Sequence, residues 1–138
     1  MTAFFILWLA FSPDLAAVKT EPDLDKRSEL ALANADQGID AARQAWTAGD
    51  LPAAQAALSD IQQSVELSYD SLHQSRENPR HSKFYKRSEQ KILLLLRRLH
   101  TLRDDMDLDN RGMVETVIHR LQELHDQLLT DIMSKRKS

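Results

Sequence analysis

The sequence predicts an all-α protein: an antiparallel four-helix bundle built from two long αα-hairpins. Three observations carry this expectation. Apolar residues recur at alternating steps of three and four, which holds one stripe on one helix face, and no period-2 run competes. Gly and Pro are scarce, 3 and 4 in 138 residues, too few for a turn-rich β fold. The turn signals that exist fall between the striped segments, not inside them.

The chain opens with an apolar run, Ala3 to Phe11, followed by Ser12-Pro13-Asp14 and the small residues Ala16-Ala17. A bilayer-spanning helix needs about 20 apolar residues, so the run has the size of a signal-peptide core instead. Residues 1–17 are therefore expected to be a signal peptide, with cleavage near Ala17 and export to a periplasm or the exterior. No transmembrane segment is expected in the mature chain. Residues 18–138 form one helical domain, large enough to bury a core without staples.

The first helix is expected over about 23–48, where Leu32, Ala35, Ile39, Ala42 and Trp46 form the stripe. The second covers about 51–76 with Leu51, Ala54, Leu58, Ile61, Val65 and Leu72. A linker, 77–82, separates the hairpins. The third covers about 83–107 with Tyr85, Ile92, Leu95, Leu99, Leu102 and Met106. The fourth covers about 110–135 with Val114, Val117, Leu121, Leu124, Leu128 and Ile132. Gly49-Asp50 supplies a left-handed stop and an N-cap for the first turn, with Pro52 just inside the next helix. Asn78-Pro79 ends the second helix, Ser82 caps the third, and Asp109-Asn110 is expected to repeat the role of Gly49-Asp50. Connections this short make sequential helices antiparallel neighbours.

The segment Ala45-Trp46 through Gly49-Asp50-Leu51 to Ala54 and Leu58 resembles the helix–turn–helix of a tetratricopeptide unit over about fifteen residues. The helices are twice too long for that repeat and no 34-residue period runs through the chain, so no family follows. A different repeat is visible. Lys26-Arg27-Ser28-Glu29 recurs as Lys86-Arg87-Ser88-Glu89, and at that offset of about 60 the stripes and turns stay in phase. The chain is read as a duplicated αα-hairpin.

Charge is segregated along the chain. Glu21 to Asp70 holds 10 acidic and 3 basic residues, Ser71 to Arg103 holds 2 acidic and 9 basic. Acidic helices facing a basic one would help choose bundle neighbours. The third helix also begins with Lys83, Lys86, Arg87 and Lys91 and ends with Asp104, Asp105 and Asp107, against the preference of the helix dipole. With Arg76 and Arg80 in the linker, this start is a candidate site for an anion such as phosphate, a lipid headgroup or a polyanion. The partner is thus an unidentified protein or anionic ligand; Phe84 and Tyr85 in the cluster are no nucleic-acid signature, and a homo-oligomer is compatible with the pattern.

Asp105, Asp107 and Asp109 are spaced as in a calcium loop, but the twelfth position is Thr116 where a bidentate Glu is needed. They are weak metal candidates, read first as a helix stop and cap. Glu115, His119 and Glu123 share one helical face, with His125 beside the stripe, and fit a pH-sensitive surface better than a metal site. No Glu is followed three residues later by His, and no phosphate loop, nucleophile elbow or zinc motif is present. Zero Cys removes thiolate chemistry. No cofactor and no catalytic residue is expected, and the function predicted is binding or structural interaction.

Overall fold

A computed structural model describes residues 15–134. The apolar run Ala3 to Phe11, read above as the core of an export signal, lies outside the described residues. Five α-helices pack together and no strand occurs among the described residues. They are α1 (Leu15–Lys19), α2 (Leu24–Thr47), α3 (Leu51–Ser75), α4 (Lys83–Asp105) and α5 (Arg111–Met133), with a single 3₁₀ turn, Leu108–Asn110, before α5.

The four long helices fall where the stripes place them. Asp23 caps α2 by accepting from the backbone N–H of Asp25 at 3.1 Å and of Lys26 at 3.3 Å. At the other end Gly49 takes φ +78°, Gly49 N–H bonds Trp46 O at 3.0 Å and Asp50 N–H bonds Ala45 O at 2.9 Å. That pair of bonds is a Schellman stop, and a residue without a Cβ takes its left-handed position at least cost. Asp50 then accepts from Ala53 N–H at 3.1 Å, opening α3. The second turn departs from this plan. Asn110 makes no capping bond to α5; its amide donates instead to the Asp107 carboxylate at 2.9 and 3.1 Å, and the chain enters α5 through the 3₁₀ turn. Helix α4 ends on Met106 in an extended conformation, so the second connection does not copy the first.

One element is new. Helix α1 lies against α2 and α3, buries Leu15, and is closed by Thr20, whose hydroxyl donates to Ala17 O at 2.6 Å. The cleavage point expected after Ala17 falls inside it.

Among the long helices α2 packs on α3, α3 on α5, α5 on α4 and α4 on α2. The core between them holds Leu32, Ile39, Leu58, Ile61, Val65 and Leu72 from the first pair, and Ile92, Leu95, Leu99, Leu121 and Leu128 from the second. Trp46 packs against this core without being buried in it, whereas Met106, sixty residues on, is buried. Burial keeps the same offset elsewhere: Ser28, Leu32, Ala35, Ile39 and Ala42 are buried, and so are Ser88, Ile92, Leu95, Leu99 and Leu102.

Helices α2 and α3 are the most closely apposed pair. Small residues allow it, since interaxial distance follows the side chains at the contact. A Cβ placed on Gly38 would stand 2.8 Å from Ile61 Cγ1. Polar side chains are carried into this seam and paired there. Ser28 and Ser68 hydroxyls meet at 2.7 Å, and the Asn34 amide donates to Ser64 Oγ and to the Asp60 carboxylate, both at 2.9 Å. Burial raises the Asp60 carboxyl above its ordinary value, with the Asn34 bond pulling the other way.

Candidate functional site

The candidate anion site is built by the α3–α4 linker and the first turns of α4. Helix α3 ends on Arg76, held at φ +59°, and the Asn78 side chain accepts from Arg80 N–H at 3.1 Å to turn the chain. Ser82 then caps α4. Its hydroxyl oxygen accepts from Phe84 N–H at 3.2 Å and from Tyr85 N–H at 3.3 Å, while its proton goes to the Glu77 carboxylate at 2.7 Å. Two of the N–H groups that an external anion would use are thus already engaged, with a carboxylate standing behind them.

The six cations divide. Arg87 pairs with Glu29 at 3.2 Å and Lys91 with Asp36 at 3.5 Å, both across the seam to α2. Of the six candidates, these two tie helices together. Lys83 lies 5.3 Å from the centroid of the Phe84 ring and Arg87 lies 5.8 Å from it. Arg76, Arg80 and Lys86 are exposed and, among the described residues, make no ion pair.

The pairing continues down the seam. Arg98 bridges the carboxylates of Asp36 and Asp40, and near the far end Arg43 of α2 meets Asp105 of α4 at 2.8 Å. Asp105 is therefore an ion-pair partner, Asp107 holds Asn110, and Asp109 is exposed. The three do not converge, and no metal-holding group of His, Asp or Glu is found among the described residues. Glu115, His119 and Glu123 are likewise exposed, with Glu123 accepting from Arg120 at 3.2 Å.

The seam between α3 and α5 carries a second set of contacts that the sequence reading missed. Arg120 reaches Glu66 at 2.8 Å. Further along, Asp131 accepts from Tyr69 Oη at 3.2 Å and lies 3.2 Å from His73 Nε2. Burial, then the charge and hydrogen bond of Asp131, raise the Tyr69 phenol above its ordinary value. Grooves of about 510 and 290 Å³ flank this cluster, the first lined by Glu66, Arg120 and Gln127, the second by Arg76, Glu77 and Tyr85. The signal available beforehand was the i, i+4 pair Tyr69/His73 at the edge of the stripe. Within the α4–α5 pair, His125 Nε2 lies 2.6 Å from Glu89 Oε2 in a largely buried contact.

No family model, no curated protein and no solved structure matches this chain. Among the described residues, no helix is long and apolar enough to cross a membrane.

Proposed function

We propose that this chain is an exported, non-catalytic four-helix bundle of two antiparallel hairpins, descended from one duplicated unit, that acts by binding. The binding surface is the rim of cations Arg76, Arg80, Lys83 and Lys86, and its class of partner is an anionic surface or polyanion. One observation carries this reading. While Arg87, Lys91 and Arg98 are drawn into contacts with α2, these four cations stand exposed at one end with no carboxylate bound to them among the described residues. The duplication is supported by buried positions that keep the sixty-residue offset and by helix ends that fall within two residues of it.

Heparin as a probe at low ionic strength is expected to bind and raise Tm, with both effects fading as salt rises through the physiological range. Replacing Arg76, Arg80 and Lys86 together by Gln is expected to weaken binding at least tenfold. No binding by the intact chain, or equal binding by the triple variant, would remove the rim from consideration. A purely structural role is the second reading, and the pairing of Arg87 and Lys91 favours it.

Export rests on the apolar run Ala3 to Phe11. Intact-mass analysis of periplasmic and secreted fractions tests it, with a chain lacking Phe4 to Phe11 as the expected species. Cleavage near Ala17 would also delete the buried Leu15, so it would cost the contacts of α1 on α2 and α3.

A further inference from the structure

Both seams join opposite charges, but the linker end brings two like charges together. Asp25 sits in the first turn of α2 and Glu77 in the segment between α3 and α4. Their carboxyl groups lie within hydrogen-bonding reach of each other. The Asp25 Oδ1 atom is buried and has no hydrogen-bond donor among the described residues. The other charges bearing on Asp25 are Asp23 and Glu29, both negative. Of the cations near the start of α2, Lys26 lies 3.7 Å from Glu21 and Arg27 donates to the Glu21 carbonyl at 2.9 Å. On the linker itself Arg76 and Arg80 are exposed and make no ion pair among the described residues, and Arg76 lines one groove with Glu77. From the adjoining elements, His73 of α3 faces Asp131, Arg87 of α4 faces Glu29, and Lys19 of α1 is exposed.

Two carboxylates at this separation cannot both ionise without strong repulsion, whereas one proton between them supplies the missing donor. We propose that Asp25 and Glu77 share one proton, forming an acid-closed clasp that ties the first turn of α2 to the α3–α4 linker and opens on deprotonation. Desolvation, followed by the hydrogen bond and charge of Glu77, raises Asp25 from 3.8 to about 6. The consequence for stability has a definite sign. The folded chain holds a proton that the unfolded chain has already released, so the contribution is fully present below about pH 4 and lost as pH rises through about 6. The clasp also backs the cap of α4, because Glu77 accepts from the same Ser82 that holds Phe84 and Tyr85 N–H. Opening it loosens both ends of the linker.

The full-length chain can be titrated directly by side-chain carboxyl ¹³C shifts. Asp25 is expected to titrate near pH 6. Asp25→Asn and Glu77→Gln each install a permanent donor in place of the proton. Either is expected to raise Tm at pH 7.5 by about 2–5 °C and to flatten the fall between pH 4 and 6.5. Amide exchange at Phe84 and Tyr85, corrected for intrinsic rate, is expected to be slower at pH 5 than at pH 7.5. Asp25 titrating below about pH 4.5, or variants that keep the wild-type slope, would overturn the clasp. Should the variants fail to fold, the wild-type titration still decides. None of these readouts depends on what the cation rim binds.

Discussion

The α2–α3 pair buries Ala35, Ala42, Ser64 and Ser68 where the α4–α5 pair, sixty residues on, buries Leu95, Leu102, Leu124 and Leu128. The outline of the two pairs is alike, and the means of holding each together is not. In the first, small side chains bring the helices close and the seam is completed by hydroxyl and amide hydrogen bonds such as Ser28 to Ser68. In the second, aliphatic bulk holds the helices further apart and burial of methylenes supplies the cohesion, at about 25 cal/mol per Å² removed from water. A close, hydrogen-bonded seam depends on geometry, and a bulky seam depends on volume. Substitutions should therefore fail in opposite directions in the two pairs.

The largest effect is expected from exchanging residues between them. Leu95→Ala should cost about 2–5 kcal/mol in urea unfolding, because the site is fully buried and leaves a cavity. The reciprocal Ala35→Leu should cost about 1–3 kcal/mol through overpacking. If Ala35→Leu is neutral, the closeness of α2 and α3 is not a packing constraint. The glycines sharpen the point. A helical Gly→Ala change ordinarily stabilises by about 0.5–1 kcal/mol. Gly112, with open space around its Cα, should show a gain of that sign near the start of α5. Gly38→Ala should instead destabilise by about 1–2 kcal/mol, since Ile61 is fully buried and has little room to yield. The smallest effect concerns the joint between the pairs. Arg98→Ala removes contacts to two part-exposed carboxylates, Asp36 and Asp40, and should cost about 0.5–1 kcal/mol, shrinking in 1 M salt.

Much of the fold was legible because helical periodicity is a local property. The stripes of α2 to α5, the Gly49-Asp50 turn and the Ser82 cap need only neighbouring residues to be recognised. Helix α1 escaped because five residues carry no period, and the apolar run before it reads as a leader. Asn110 was misjudged because its NH₂ group is turned to the Asp107 carboxylate, and its side-chain oxygen accepts no helix N–H. The candidate site was legible only in part. A concentration of cations at the start of α4 is visible in sequence, but the acids that take Arg87 and Lys91 lie 58 and 55 residues away. Which helix faces which is a tertiary fact. The charge segregation hinted at it, since the acidic first segment does meet the basic α4, while the Asp25–Glu77 approach left no sequence trace.

The bonds across the two long seams have a consequence for how the chain can be divided. Contacts such as Arg87 to Glu29 and Tyr69 to Asp131 join the α2–α3 pair to the α4–α5 pair, and covalently the two are joined by the short linker alone. The seams carry most of the recognition between the two pairs. A single backbone nick between Asn78 and Arg80 would leave two fragments that still match each other in shape and charge, as in fragment complementation. By the same reasoning, two intact copies can exchange their α4–α5 pairs and rebuild every seam contact without a new interface. The balance between monomer and exchanged dimer then lies with the linker, whose left-handed residue at Arg76 sets the direction in which the second pair is folded back.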